Sequence, residues 1–155
     1  MVRLDSRFAA VAMIFLFSGA AGLIYQIVWM RKLGLVFGVT SQAVSVVLAV
    51  FMGGLSLGSW LLGRKVDASK NPLRFYAALE LGIALTGAVS LYLIDYLVEA
   101  YVLLSKESLL SFNLQLPLRV LIAALVLGVP TTLMGGTLPA VVRAFTLHGR
   151  DIARS

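Results

Sequence analysis

Cysteine is absent from the 155 residues, which excludes disulfides, thiolate metal ligands and a cysteine nucleophile. Charge is scarce: Asp, Glu, Lys and Arg make up 13% of the chain, about half the share usual in a soluble domain. With 60% apolar side chains and a mean hydropathy of +0.97, that scarcity excludes an ordinary soluble globular protein. Histidine occurs once, at His148, so the sequence spells neither a histidine pair for a metal nor a Ser-His-Asp arrangement. Acidic residues number 7 against 13 basic ones. The basic excess collects at the ends of apolar runs, where anionic lipid headgroups lie, and is read as membrane topology and not as a nucleic-acid footprint.

What the chain has in abundance is long uncharged runs. A helix needs about 20 residues to cross about 30 Å of hydrocarbon, and four runs are long enough. Phe8 to Met30 is free of charge and is expected to span at about 8–30, ending at Arg31 and Lys32. Its apolar stretch continues past Ala21, too far for a secretory signal, so it is read as retained. Thr40, Ser41 and Gln42 open a second run, expected at about 41–62. A charged connector from Gly63 to Arg74 follows, and its Pro72 suits the first turn of a third span at about 73–94. A fourth apolar run occupies about 117–142 and contains Pro130, Gly135, Gly136 and Pro139. Between the third and fourth spans, Asp95 to Leu116 mixes Asp95, Glu99, Lys106, Glu107, Asn113 and Gln115 with leucines and aromatics. This segment is expected to form an interfacial amphipathic helix. The fold class is thus an all-α membrane protein, a single domain over 1–155 built as a four-transmembrane helical bundle.

Orientation follows from the basic residues of the short loops. With the N-terminus inside, Arg3, Arg7, Arg64, Lys65, Lys70, Arg74, Arg143, Arg150 and Arg154 are cytoplasmic, and Arg31, Lys32, Lys106 and Arg119 are outside. Nine against four favours both termini in the cytoplasm. Trp29, Tyr92, Tyr96 and Tyr101 then belong near the outer interface, and Trp60 and Tyr76 near the inner one.

The stretch SGAAGLIYQIVW, FMGGLSLGSW, the loop from Gly63 through Pro72 and Leu73, LELG at Leu79 to Gly82, and TTLMGGTLP at Thr131 to Pro139 resemble the N-terminal membrane part of bacterial spermidine-synthase-like membrane proteins. In that family a transporter-like helical domain, similar to the major facilitator fold, is joined to a cytosolic aminopropyltransferase. The resemblance covers Phe8 to about Arg143 and implies a partial facilitator-like half, because a complete half has six helices. The transferase's glycine-rich loop and acidic catalytic residues have no counterpart here, so no catalytic residue is carried over and no enzymatic activity or cofactor is expected. Gly63 and Asp67 match two positions of the facilitators' Gly-x-x-x-Asp loop signature, and Lys70 stands where a later glycine belongs.

Glu80 is the one carboxylate inside a clear span, and an intramembrane acid is costly enough to suggest a proton or cation site. The plainer alternative is a carboxylate near a helix N-terminus that pairs with Arg64, Lys65 or Arg74. Pro130 and Pro139 remove backbone hydrogen bonds and free the carbonyls of Val126 and Gly135. Thr131, Thr132 and Thr137 stand close enough to satisfy such carbonyls or to face a solute, in the manner of broken transporter helices; a packing kink is the simpler reading. Tyr25 and Gln26 sit where they would line a polar cavity or hydrogen-bond between helices. Small residues four apart, Ser18 with Gly22, Gly54 with Gly58 and Ala78 with Gly82, together with Gly135 and Gly136, are expected at close helix contacts. Asp95, Glu99 and Arg119 are expected as solvated charges at one end.

Three functions follow as expectations. One is a non-catalytic module that packs against other membrane subunits, or itself, as an assembly component. Another is a transporter-like half for a small cationic or organic solute that needs a partner chain. The third is the membrane part of a split spermidine-synthase-like protein.

Overall fold

The computed structural model describes residues 6–37, 41–106 and 112–152, and every long element among them is helical. Helix α1 runs Ser6–Phe37, α2 Ser41–Asp67, α3 Pro72–Lys106 and α4 Phe112–Ile152. All four are long and apolar enough to cross a membrane. Arg3, Thr40, Glu107 and Arg154, used above for orientation and boundaries, lie outside the described residues.

The helices overrun the expected spans at both charged ends. Arg31 and Lys32 do not end α1, which continues to Phe37 and buries Leu33 and Phe37; a neutralised Lys32 lets the apolar stripe continue past it. Gly63, Arg64 and Lys65 do not open a loop either, since α2 runs through them to Asp67. The connector shrinks to 68–71, closed by a Ser69 N–H to Val66 carbonyl bond of 3.0 Å, and Pro72 occupies the first helical position of α3 as its fixed φ favours. Among the described residues no separate interfacial helix forms. Asp95 to Lys106 continues α3 without a break, and Phe112 onward belongs to α4, with 107–111 outside the described residues. An unbroken α3 keeps its intrahelical hydrogen bonds, and buried Ile94 and Tyr101 hold that extension to the bundle.

Chain direction is readable from which residues meet. Gly54, Gly58 and Gly136 face Thr131, Thr132 and Leu62, so numbers rise together and α2 lies parallel to α4. Ser18 meets Glu80, Trp29 meets Ser90 and Lys32 meets Asp95, so α1 lies parallel to α3 as well. Gly82 against Leu133 and Tyr101 against Arg119 make α3 and α4 antiparallel. The pair α2–α4 is the most closely packed, α4 also covers α3, and α1 touches each of the others more sparingly.

The core has two parts. Trp29, Leu33, Phe37, Phe51, Ile94, Tyr101 and Leu127 pack at one end. Val66, Tyr76, Leu79, Ala140 and Val141 pack at the end that carries Arg64, Lys65 and Arg143. The outer faces are apolar too, with Phe17, Leu81, Leu85 and Tyr92 largely exposed, as a surface in contact with lipid tails requires.

Candidate functional site

Glu80 lies on the face of α3 that looks at α1. Counting from Pro72, it is eight residues into the helix, about 12 Å along the axis, and it is half-buried. The Ser18 hydroxyl of α1 donates a 2.6 Å hydrogen bond to its Oε1. Arg64, Lys65 and Arg74 form no ion pair with it among the described residues, so the expected pairing with the basic connector gives way to a neutral donor from a neighbouring helix. One turn earlier on α3, Tyr76 brings its hydroxyl beside both Glu80 and Ser18. That side chain is 4% exposed, and its oxygen has no hydrogen bond of its own.

Two of these polar groups, Tyr76 and Glu80, line a half-open groove of about 580 Å³ between α1 and α3, whose other walls are Val11, Ile14, Leu73, Ala77 and Leu81. Apart from Tyr76 and Glu80 the walls are hydrocarbon. A carboxylate here works in poor solvent, where a cation that reaches it is held more strongly than in water. Chemically the trio offers one negative or protonatable oxygen pair, one serine hydroxyl already donating, and one phenol free to donate or accept.

Above the groove, the contact between α1 and α3 climbs in steps. Tyr25 presses its ring on Gly87, where an added Cβ would lie 2.8 Å from the ring, and it stacks on Trp29 with centroids 5.3 Å apart. Trp29, wholly buried, donates from Nε1 to Ser90 Oγ at 2.9 Å, and Ser90 donates onward to the Gly87 carbonyl at 2.6 Å. Lys32 then bridges Asp95 at 2.7 Å on the exposed rim, a position where an ion pair contributes at most about 1 kcal/mol. Trp29 is therefore a core residue and not part of an interfacial belt, as is Tyr76, whereas Tyr92 and Tyr96 do face outward.

The structure separates the remaining candidates. Gln26 is half-buried and has no side-chain hydrogen bond among the described residues, so it does not join the Glu80 site. Thr131 and Thr132 lie against α2, and Pro130 is fully buried. Helix α4 passes through Pro117, Pro130 and Pro139 without breaking. Thr131 and Thr132 donate to the carbonyls of Leu127 and Gly128 at 2.6 Å each, and Thr137 donates to Met134 at 2.7 Å. Thr131 and Thr132 bond one and two residues past the Val126 carbonyl that Pro130 frees, Thr137 bonds one residue before the Gly135 carbonyl that Pro139 frees, and all three hydroxyls are thus spent on their own helix. Gly54, Gly58, Gly135 and Gly136 all sit at contacts too close for a side chain, Gly82 touches Leu133, and Gly22 touches Met134 at ordinary distance. Ala78 is exposed, because the face of α3 that turns inward passes through Tyr76, Leu79 and Ile83 instead. Gly63 lies inside α2 against Pro139, and Asp67 ends that helix with its carbonyl accepting from Arg143 at 3.4 Å; both are helical, not loop, residues. Asp95 pairs with Lys32, and Arg119 instead donates to the Tyr101 hydroxyl at 3.2 Å and lies over the Phe37 ring.

Sequence reasoning passed over Tyr76, Ser90, Gly87 and the Lys32–Asp95 pair as members of one seam. The signal was present in the spacing: Tyr76 and Glu80 are four apart, and Ser18, Tyr25, Trp29 and Lys32 recur at helical intervals along one face of α1. Compared with known proteins, the chain matches no family model, no curated protein and no solved structure.

Proposed function

We propose that the chain is a transporter-like membrane module that binds a small monovalent cation at Glu80 in the groove between α1 and α3, and that a second helical unit completes it. The observation that carries this reading is the half-buried Glu80 carboxylate, held by Ser18 beside the unpartnered hydroxyl of Tyr76 at an open groove. An acid inside an apolar span is expensive, and retention of one in a space that a solute can enter is what a binding role requires. One carboxylate suits one positive charge. Polyamines, with several charges, would call for further acids that the spans lack.

The resemblance to spermidine-synthase-like membrane proteins supports the same reading, because the segments that carry it supply Ser18, Glu80 and the α2–α4 contacts. In that reading aminopropyl transfer belongs to residues beyond this chain, the membrane is the bacterial inner membrane, and both termini are cytoplasmic by the distribution of basic residues. Alternating access uses two repeats that move against each other, and a second helical unit, on this or another chain, supplies the other repeat in this reading. A purely structural subunit is the weaker reading: it drew on the small-residue faces, and Gly54, Gly58, Gly135 and Gly136 are occupied within the chain.

The test is chemical labelling of the carboxyl group in proteoliposomes with a lipid-soluble carbodiimide, followed by peptide mass spectrometry. Glu80 is expected to be labelled in the native chain, and methylammonium or sodium is expected to slow that labelling about tenfold, the effect of about 1.4 kcal/mol of occupancy. Glu80→Gln removes the label while the helices remain folded. Labelling at Glu80 that is indifferent to sodium, potassium and methylammonium would make the carboxylate a structural hydrogen-bond acceptor and end the proposal.

A further inference from the structure

Between α2 and α4 lies a second, shallower groove. Its walls are Trp60 of α2 and Met134 and Leu138 of α4, and its floor is Leu55, Ser59 and Gly135, with Ser56 at one edge; it holds about 620 Å³. The floor is low for a defined reason. Gly135 lets the α4 backbone come up against Leu55 and Ser59, so two helices that almost touch leave a trough along their line of contact instead of a ridge. Trp60 is 54% exposed and forms one bank, and Leu138 is 56% exposed and forms the other.

The trough has one charged end. Arg64, one turn beyond Trp60, lies over the indole with its guanidinium carbon 4.4 Å from the ring centroid, and Lys65 follows it at the end of α2. Both are exposed. Asp67 is close in sequence, yet among the described residues neither base forms an ion pair with it or with any other acid. A largely apolar trough a little over one helical turn long thus opens onto two unneutralised cations, about 6–8 Å along the axis from the indole. An indole favours the level where hydrocarbon meets headgroups, so the cations stand at the height of a lipid phosphate.

We propose that this trough is a binding site for an anionic phospholipid, with one acyl chain lying between Trp60 and Leu138 over Gly135 and the headgroup phosphate held by Arg64 and Lys65. The charge of the mouth selects the lipid class, and the trough fixes its place. Arg64 is the better of the two ligands, because its planar fork matches two phosphate oxygens while the indole beneath it keeps the guanidinium oriented. A zwitterionic lipid fits the same trough, but its own ammonium group sets against the attraction.

The site can be read by the fluorescence of the chain's two tryptophans, since Trp29 is buried and Trp60 is the one a lipid can touch. The full chain is reconstituted in bilayers of phosphatidylcholine with increasing fractions of phosphatidylglycerol brominated on its acyl chains, and separately with brominated phosphatidylcholine. Quenching by the brominated phosphatidylglycerol is expected to half-saturate at a mole fraction about fivefold or more lower than quenching by brominated phosphatidylcholine, about fivefold being the effect of one basic residue near an anionic headgroup. Arg64→Gln with Lys65→Gln should abolish that preference while leaving quenching by phosphatidylcholine unchanged. A matched pair, Lys70→Gln with Arg74→Gln, removes the same charge from the same end of the bundle and should keep the preference. Equal quenching by the two lipids in the native chain overturns the proposal. So does loss of the preference in the Lys70 and Arg74 pair, which would reduce it to general attraction between a basic surface and an anionic membrane.

Discussion

Alanine in place of Gly58 or Gly135 is expected to destabilise the bundle by about 2–3 kcal/mol, the upper part of the range for overpacking a tight contact. In a helix, alanine ordinarily gains about 0.5–1 kcal/mol over glycine, so the expected sign is reversed. A Cβ on Gly58 falls on the backbone carbonyl of Thr132, and one on Gly135 falls on that of Leu55 and lies 2.9 Å from the Ser59 nitrogen. Backbone atoms cannot rotate aside, so α2 and α4 must part along their length. In lipid that separation is not opposed by hydrophobic drive, because tails fill the gap as readily as leucine does; the close contact itself is what holds the pair. Gly54→Ala belongs with them, since its Cβ would lie 2.7 Å from the Thr131 Cβ, an atom that no turn of the side chain moves. Gly53 has open space around it, and Gly53→Ala should show the ordinary helix gain of about 0.5–1 kcal/mol. Reversible unfolding in mixed micelles, followed by circular dichroism, ranks the four. If Gly58→Ala and Gly53→Ala unfold alike, α2 and α4 are not in backbone contact.

Replacement of Trp29 by alanine is the other large effect, about 3 kcal/mol. Deletion of a buried aromatic ring ordinarily costs about 3–5 kcal/mol in a water-soluble core, and the lower end applies because the unfolded helices lie in lipid, where the transfer contribution is small. What is lost is contact: the stack with Tyr25, the tilted approach to Phe51 at 6.4 Å and the hydrogen bond to Ser90. Trp29→Phe separates these parts. It keeps most of the ring contacts and drops the bond, so it should cost about 0.6–1.7 kcal/mol, the span measured for interhelical hydrogen bonds in a membrane. Ser90→Ala should match it, and the double variant should be no worse than either alone if the bond is the shared loss. Native-like stability of Trp29→Ala would mean that α1 is not anchored at this level.

The four spans were legible because an uncharged run of twenty-odd residues has one physical use, and every one of them proved helical and long enough to cross. The ends were less so. Lys32 reads as the end of α1 because an unpaired ammonium cannot sit in hydrocarbon; its partner Asp95 is 63 positions away, and no local pattern announces that the pair allows α1 to run on. The interfacial helix failed for a related reason. The polar residues of 95–106 look amphipathic in isolation, yet they continue the register of α3, and length alone cannot tell a long helix from two short ones. Glycine spacing gave the contact faces of α2 and α4 and misjudged Ala78, because small size permits a close approach without requiring one. At the candidate site, Glu80 stood out by its cost. Tyr76 did not, because a tyrosine near a helix end suits an interfacial belt as well as a buried seam.

The order in which the helices meet also sets when they can meet. Ser18, Trp29 and Lys32 find their partners 61 to 63 residues later in the chain, and the glycines of α2 wait longer still, for the threonines of α4. At about 5–20 residues per second of synthesis, α1 spends roughly 3–12 seconds in the bilayer before the face of α3 that receives it has been made. During that interval Trp29 and Lys32 must be tolerated by lipid, by the insertion machinery or by other chains. Assembly of this bundle is therefore paced by the ribosome: α1 and α2 enter first as single helices, α3 gives α1 its seat, and α4 closes the structure from the middle.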